Sequence, residues 1–195
     1  MAGRQLTCAR FAGVLAALLY GCVMQAAEVS FDSGFVKFDD APLEEPLAFP
    51  DWFKLSFLDL REDIEEAKEA GKRGLIVYFG QKYCAYCKQF LETDLEAGDI
   101  QAYARQHFDV IGIDIHGYRT VTTLDGTEIR ENSLAIQYET NFTPSVIFFD
   151  TSGKAVLRLR GYYPPYRFRA ALEYVADAHY KHENFRQFLA RADVP

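Results

Sequence analysis

The segment that decides the fold reads Gly74-Leu-Ile-Val-Tyr-Phe-Gly-Gln-Lys-Tyr-Cys-Ala-Tyr-Cys87. Its first six residues form an apolar, aromatic and β-branched run between glycines, which is typical of a fully buried strand. After a short turn, apolar side chains recur at helical spacing at Cys87, Phe90, Leu91 and Leu95. This spacing predicts a helix from Cys84 to Ala97 that ends at Gly98. A buried strand therefore leads into a helix whose first turn carries two cysteines.

The two cysteines favour redox chemistry over a structural role. A disulfide stabilises a fold mainly by closing a long loop, and the loop between Cys84 and Cys87 is very short. Two sulfur atoms at i and i+3 of a first helical turn share one face and can close a small, reducible ring. A helix N terminus, with Lys82 and Lys88 nearby, favours a thiolate and lowers the pKa of Cys84 below the about 8.5 of free cysteine. We expect Cys84 to be the nucleophile and Cys87 to resolve its mixed disulfide.

Two other kinds of site could use the same cysteines. A tetrahedral zinc site needs two further ligands, and the available nitrogen donors, His179 and His182, lie far along the chain from Cys87. Covalent haem attachment needs a histidine directly after the second cysteine, where this chain has Lys88. We therefore expect no metal and no cofactor. A non-enzymatic module that holds copper or zinc through the two thiols stays open as an alternative.

The first 27 residues have the layout of a secretory signal. Arg4 and Arg10 accompany an apolar run from Phe11 to Tyr20, and small residues follow. This run is shorter than the about 20 residues that a membrane-spanning helix needs. We predict a signal peptide over residues 1–27 and a periplasmic protein, with a retained amino-terminal anchor as the alternative. The sequence Leu19-Tyr-Gly-Cys22 resembles a bacterial lipobox, which makes Cys22 a candidate lipid anchor that would tether the protein to the membrane.

Hydrophobic periodicity predicts the elements on either side of the central strand. Residues 28–55 combine acidic side chains with prolines and are interpreted as an extended N-terminal arm. A helix is expected over Ser56–Ala70, with Gly71 as its stop signal. A second helix is expected over Asp99–Gln106, followed by a buried strand over Phe108–Ile115.

The second half of the chain predicts a hairpin, two further strands and terminal helices. Residues 121–124 and 127–130 flank Asp125-Gly126, a strong signal for a two-residue hairpin turn. Asn132 or Ser133 could cap a short helix that runs through Tyr138. The remaining predicted elements are strands over Ser145–Phe149 and Ala155–Leu159 and helices around Phe168–Val175 and Phe185–Leu189.

Length and composition are those of one globular domain. The chain has 195 residues, of which 49% are hydrophobic and 25% are charged, so collagen-like and low-complexity classes are excluded. With 21 Lys and Arg against 28 Asp and Glu, the net charge is −7, and we expect no nucleic-acid partner. The order of elements predicts an α/β domain over residues 56–192. Its mixed central β-sheet is covered by helices on both faces and carries a β-hairpin insertion.

Three features together resemble the thioredoxin superfamily and, more narrowly, the SoxW-type periplasmic thioredoxin-like proteins. They are the buried strand, Cys84-Ala-Tyr-Cys87 at a helix start, and Thr143-Pro144 directly before a hydrophobic strand. The similarity runs from about residue 52 to residue 189. It implies a thioredoxin-like fold and a thiol:disulfide oxidoreductase, specifically a reductase of protein disulfides.

The resemblance also implies roles around the cysteine pair. Pro144 is expected to be cis and to face the cysteines, which leaves the Thr143 backbone free to pair with an extended substrate. The expected partners are proteins with disulfides or reactive cysteines and a membrane thiol carrier that supplies electrons. Aromatic side chains could form an apolar rim for the substrate peptide, with Tyr83 and Tyr86 as first candidates. Tyr162 and Tyr163 are further candidates, and simple packing is an equally good explanation for each of the four.

Two departures from thioredoxins proper affect the expected chemistry. Thioredoxins carry Trp before the first cysteine and Gly-Pro between the pair, where this chain has Tyr83 and Ala85-Tyr86. They also carry a buried Asp six residues before the first cysteine, where this chain has Tyr78. The proton acceptor for Cys87 is therefore not identified, and the candidates are a water or an acid from the preceding helix such as Glu65 or Glu66. An oxidase or isomerase that uses the same cysteines is the alternative to a reductase.

Overall fold

A computed structural model describes residues 40–96 and 98–192. The predicted signal peptide, the candidate lipid anchor Cys22 and the first part of the predicted arm, residues 28–39, lie outside the described residues. Among the helices that are described, none combines the length and the apolar character needed to cross a bilayer.

The described residues form six strands and six α-helices. The strands are β1 (Gly74–Gly80), β2 (Phe108–Asp114), β3 (Thr120–Thr122), β4 (Glu128–Arg130), β5 (Ser145–Asp150) and β6 (Ala155–Arg160). The α-helices are α1 (Leu60–Glu69), α2 (Ala85–Gln89), α3 (Gly98–His107), α4 (Glu131–Gln137), α5 (Pro165–Ala176) and α6 (Phe185–Arg191). A π-helical segment, Phe90–Leu95, continues α2, and a 3₁₀ turn, His179–Lys181, follows α5.

The central sheet has the strand order β2-β1-β5-β6. Strand β1 runs parallel to β2, with Gly74 opposite Phe108, and antiparallel to β5, with Gly74 opposite Asp150. Strands β5 and β6 are antiparallel. The predicted mixed sheet, a parallel pair joined through helices followed by an antiparallel pair, is therefore confirmed.

Helices cover both faces of this sheet, as predicted. All seven residues of β1 are buried, and successive side chains point to opposite faces. Ile76 and Tyr78 join the core formed with α2, the π-helical segment, α3, α5 and α6. Leu75, Val77 and Phe79 join the core formed with α1 and α4. The cysteine pair belongs to the first of these two layers.

The predicted hairpin insertion is confirmed, but its turn is longer than predicted. Strands β3 and β4 pair from Thr120 opposite Arg130 to Thr122 opposite Glu128. The N–H of Thr123 donates to the carbonyl oxygen of Thr127 at 2.9 Å, so three residues, not two, form the loop. Gly126 closes it with φ +87°, a left-handed conformation that glycine adopts without a steric penalty.

Two predicted helix starts are wrong because capping is decided by local hydrogen bonds. Helix α1 begins at Leu60 and not at Ser56, because the side chain of Asp59 accepts the N–H groups of Arg61 and Glu62. Its end is as predicted, with Gly71 in the left-handed region at φ +72°.

Helix α4 begins at Glu131, so neither Asn132 nor Ser133 caps it. The residue before it, Arg130, has an extended backbone and makes no side-chain capping bond. The predicted helix from Cys84 to Ala97 is also divided differently. It changes to π-helical geometry at Phe90, and Gly98 opens the next helix instead of ending this one.

The described part of the arm packs along the edge of the sheet. The N–H of Lys54 donates to the carbonyl oxygen of Val110 on β2 at 2.8 Å, and the N–H of Leu47 donates to that of Lys82 at 2.7 Å. Phe53 is buried, and the ring of Phe49 lies over Gly112, where a Cβ would approach the ring to 2.6 Å. The arm thus covers the edge strand β2 and reaches the turn that precedes Cys84.

Candidate active site around Cys84 and Cys87

Strand β1 and helix α2 position the two cysteines. Cys84 is the N-cap of α2, with an extended backbone, and Cys87 lies in the first helical turn. Their sulfur atoms form a disulfide, with the Cα atoms 5.1 Å apart. The N–H of Cys87 donates to the Cys84 sulfur at 3.0 Å. In the reduced protein, this otherwise unpaired helical N–H would stabilise a thiolate on Cys84.

The two sulfurs differ in access. Cys84 is 7% exposed, whereas Cys87 is fully buried in the core layer that also contains Phe90 and Phe168. A disulfide or thiol from solution therefore meets Cys84 first. Cys87 can react only with a sulfur that is already bound to Cys84.

The loop before β5 contacts the Cys84 sulfur directly. The Thr143–Pro144 peptide bond is cis. The hydroxyl of Thr143 donates to Cys84 Sγ at 3.4 Å, and its carbonyl oxygen lies 3.8 Å from the same sulfur. The carbonyl oxygen of Pro144 accepts the N–H of Gly161 at 2.9 Å, which ties this loop to the end of β6.

Exposed aromatic side chains lie close in sequence to the cysteines and to Thr143. Tyr83 and Tyr86 are both exposed, and the Tyr86 ring lies 6.5 Å from that of Tyr162. Tyr163, in contrast, packs against the core. Sequence reasoning missed Phe142, which is 73% exposed and directly precedes Thr143. Its place next to Thr143-Pro144 is the signal that could have identified it.

Tyr78 occupies the position, six residues before the first cysteine, at which thioredoxins carry a buried Asp. Its side chain is buried, and its ring stacks on Phe90 at 5.8 Å between centroids. Burial raises the pKa of the Tyr78 hydroxyl, so this group is neutral at physiological pH. The hydroxyl has no hydrogen-bond partner among the described residues.

The two candidate acids from the preceding helix lie elsewhere. Glu66 pairs with Lys54 at 2.5 Å, and Glu65 pairs with Lys68 at 3.0 Å. Both belong to α1, whose buried side chains pack in the layer opposite to that of the cysteines. The suggestion that either one accepts the proton of Cys87 is therefore wrong.

The histidines considered for zinc have other neighbours. The Nδ1 atom of His179 lies 3.5 Å from the Glu183 carboxylate, and its ring packs on Phe188 at 4.8 Å. His182 is exposed. Across residues 40–96 and 98–192, no group of three or more His, Cys, Asp or Glu side chains could hold a metal ion. The arrangement of Cys84 and Cys87 instead supports thiol–disulfide exchange.

Several solved structures are similar to this chain. A thioredoxin-fold protein from Helicobacter pylori is 28% identical, covers 60% of this chain and 78% of its own, and gives a TM-score of 0.48. A thioredoxin from Thermus thermophilus is 24% identical, with coverage of 65% and 94% and a TM-score of 0.48. A disulphide isomerase from Xylella fastidiosa Temecula1 is 18% identical, with coverage of 72% and 97% and a TM-score of 0.42.

No curated protein matches the sequence. The family model described as the thioredoxin-like domain matches residues 60–176, from the start of α1 to the end of α5. This span is more than half of the chain and includes Cys84, Cys87 and Thr143-Pro144. The resemblance to the thioredoxin superfamily is therefore confirmed, and the chain belongs to the thioredoxin-like domain family.

Proposed function

We propose that this thiol–disulfide oxidoreductase reduces disulfides of other proteins in the periplasm, with Cys84 as nucleophile and Cys87 as resolving residue. The Cys84 thiolate attacks a substrate disulfide and forms a mixed disulfide, and the first substrate sulfur leaves as a thiolate. Cys87 then loses its proton and attacks the Cys84 sulfur, which releases the second substrate sulfur. Two electrons have passed to the substrate, and the Cys84–Cys87 disulfide remains.

The difference in access between the two sulfurs carries this proposal. Cys84 presents surface and receives hydrogen bonds from the N–H of Cys87 and the hydroxyl of Thr143, which both favour its thiolate. Cys87 is buried but bonded to Cys84. This is the access that a two-step exchange needs.

The surroundings of Cys84 support an extended protein segment as substrate. Neither the N–H nor the carbonyl oxygen of Thr143 has a backbone hydrogen-bond partner in the described part of the chain. Both can therefore pair with a substrate backbone that passes next to Cys84. Tyr83 and Tyr86, which flank Cys84 in the sequence, offer exposed aromatic surface.

The cellular setting rests on the leader and on the SoxW-type resemblance. A signal peptide over residues 1–27 would export the protein, and a lipid on Cys22 would tether it to the membrane. A reductase in an oxidising compartment needs a continuous electron supply. We therefore propose a membrane thiol carrier as the reductant.

The test is trapping with the resolving cysteine removed. Cys87→Ser should accumulate mixed disulfides with envelope proteins, because the bond to Cys84 forms but is not resolved. Cys84→Ser should trap nothing, and the double variant is the matched control. Trapping that persists without Cys84 would show that the proposed nucleophile is wrong.

An oxidase is the second candidate function, and Tyr78 favours it. A buried carboxylate near the pair would disfavour a thiolate, and a neutral hydroxyl does not. A stabilised thiolate stabilises the reduced form and makes the pair more oxidising. A measured potential near about −270 mV supports the reductase, and one near about −120 mV supports the oxidase.

A metal-holding module is separated from both enzymes by two measurements on the purified protein. Bound copper or zinc, together with failure to reduce insulin in the presence of dithiothreitol, would favour the module over an oxidoreductase.

A further inference from the structure

A groove of about 520 Å³ lies between the N-terminal arm and the helix that carries Cys87. One wall consists of arm residues between Leu43 and Pro50. The other consists of residues between Lys88 and Glu96, in α2, in the π-helical segment and directly after it. We call it the arm–α2 groove. Its volume lies in the range of binding pockets in proteins.

The floor of the arm–α2 groove is apolar. Leu91 is buried there, and Leu43, Leu47 and Pro50 are half-buried. The N–H of Leu47 donates to the carbonyl oxygen of Lys82 at 2.7 Å, which holds the arm wall against the turn that leads to Cys84. The partly exposed apolar side chains of the floor are therefore fixed in place, and burying them under a ligand would be favourable.

The rim of the arm–α2 groove is acidic. Glu44 and Glu45 on the arm wall and Glu92 and Glu96 on the helical wall are all exposed, and Lys88 is the one basic residue among the described residues that line the groove. Lys88 lies 4.0 Å from Glu92. The other three carboxylates make no ion pair with any residue that the structure describes. The acids of the rim therefore outnumber its single cation, and most of their charge is not balanced within the groove.

The arm wall adds backbone acceptors to these carboxylates. Within the described ranges, no donor reaches the carbonyl oxygens of Leu43, Glu44 and Glu45. Pro46, which follows them, has no N–H to offer. The polar groups that a ligand would meet on this wall are therefore mostly acceptors, and they are complementary to a ligand rich in donors.

Charge distinguishes between the possible occupants of the arm–α2 groove. Residues 28–39 directly precede the described arm, but their acids, Glu28, Asp32 and Asp39, outweigh their single base, Lys37. A second copy of the chain carries a net charge of −7 and the same acidic rim. Both would be repelled by the rim. A basic segment of another protein is the occupant whose charge is complementary to it.

We propose that the arm–α2 groove docks an extended segment of a partner protein in which basic and apolar residues alternate. The apolar side chains cover the leucines of the floor, and the long basic side chains reach the free carboxylates of the rim. Because α2 forms one wall and also carries Cys87, a partner docked here is held beside the helix of the cysteine pair. The binding involves no sulfur chemistry and does not depend on the proposed function.

The test uses the acetylated and amidated peptide Lys-Leu-Lys-Leu-Lys as the probe and follows its binding to the exported chain by nuclear magnetic resonance titration. Two comparison peptides each change one feature: Glu-Leu-Glu-Leu-Glu reverses the charge, and Lys-Ser-Lys-Ser-Lys removes the apolar side chains. We expect saturable shifts at both walls of the groove, with a dissociation constant below about 1 mM. The reversed peptide should not bind, and the serine peptide should bind about tenfold more weakly.

Three variants assign the contacts. Glu44→Gln combined with Glu45→Gln should weaken the probe about tenfold, because each ion pair at an exposed rim contributes about threefold, and should reduce the salt dependence of binding. Glu62→Gln combined with Glu69→Gln removes the same charge from exposed, unpaired acids of α1 and is the matched control, which should change nothing. Leu43→Ser should weaken the probe about fivefold and leave its salt dependence unchanged.

Several outcomes would overturn the proposal. They are no saturable binding up to about 5 mM, shifts that map away from the groove, or equal weakening in the rim variant and the α1 control. Tighter binding of a synthetic peptide of residues 28–39 would assign the groove to the chain itself. A concentration-dependent dimer that the rim variant abolishes would assign it to a second copy, and either result contradicts the proposal. Cys84→Ser combined with Cys87→Ser should keep full affinity for the probe, so a failure of the redox proposal is distinguishable from a failure of this one.

Discussion

The two ends of strand β1 treat buried polar groups in opposite ways. At the amino end, Lys54 pairs with Asp63 at 2.8 Å and with Asp109 at 3.5 Å, and Lys72 pairs with Asp109 at 2.6 Å. At the carboxyl end, the Tyr78 hydroxyl and the Thr143 backbone have no such partners among the described residues. The charged side chains at the amino end are paired with one another, whereas at the carboxyl end the Thr143 backbone next to Cys84 has no backbone partner in the described chain.

Strand β1 combines stability at its amino end with reactivity at its carboxyl end. The paired amino end joins the arm, α1 and β2 through Lys54. The carboxyl end can leave groups unpaired because the hydrophobic layers on both faces of β1 hold the strand in place. Each variant below removes a group from one end of β1. We expect variants at the amino end to lower the free energy of unfolding and variants at the carboxyl end to lower the reactivity of Cys84.

The largest expected effect is the loss of disulfide-reducing activity on a change at the carboxyl end of β1. Cys84→Ser should lower insulin reduction to the level of dithiothreitol alone, because no other exposed sulfur in the described chain can form the mixed disulfide. The stability of the reduced protein, measured by urea unfolding, should change little. Residual turnover in this variant would contradict the account.

The next effect is expected on stability at the amino end. Lys54→Met should lower the free energy of unfolding by about 3 kcal/mol, because it leaves the buried Asp63 carboxylate without a cation, whereas Asp109 keeps its pair with Lys72. Urea unfolding measures this change. Lys68→Met is the matched control, since its exposed pair with Glu65 contributes at most about 0.5 kcal/mol. An equal loss in both variants would remove the distinction between the two ends.

A smaller effect on chemistry is expected from Thr143→Val, which keeps the shape of the side chain but loses the hydroxyl that donates to the Cys84 sulfur. A hydrogen bond of about 1 kcal/mol corresponds to about a fivefold lower thiolate fraction on reduced Cys84. The alkylation rate at a pH below the thiol pKa reports this fraction. An unchanged rate would show that the Thr143 hydroxyl does not support the thiolate. Thr140→Val, at a buried threonine bonded to the carbonyl oxygen of Ala135, controls for the substitution itself.

The smallest expected effect is a dependence of the free energy of unfolding on pH. Burial alone would lower the pKa of Lys54, but its bonds with Asp63 and Glu66 outweigh burial and raise the pKa above the ordinary value of 10.5. A group whose pKa is raised by folding contributes its full stability below its unfolded pKa and loses it as the pH rises through the folded pKa. Unfolding experiments should therefore show stability declining above about pH 10.5 in the native chain, and this component should be absent from Lys54→Met. A loss of stability at acidic pH that is present in the native chain and absent from Lys54→Met would contradict the expected direction of the pH dependence.

Local patterns in the sequence predicted most of the architecture. The strand from Gly74 to Phe79 and the strands around residues 145–160 appear as expected, and a helix follows Cys84, although it changes to π-helical geometry at Phe90. These signals depend on periodicity within a few residues. They therefore needed no knowledge of which elements meet in space.

What the sequence did not predict depends on contacts between distant segments. The start of α4 reflects the burial of Glu131 among donors from the loop after β2. Glu66 looked available for acid chemistry until its pair with Lys54 from the arm was known. The packing of Tyr163 against the core likewise follows from the tertiary fold, since nothing next to it in the sequence distinguishes it from Tyr162.

The most direct test of the central claim is the pH dependence of alkylation of the reduced protein, with each cysteine followed separately by mass spectrometry. We predict that Cys84 reacts first and ionises well below the about 8.5 of free cysteine, while Cys87 stays protected. A Cys84 thiol that ionises no more readily than free cysteine, or a Cys87 that is modified as fast as Cys84, would contradict the account.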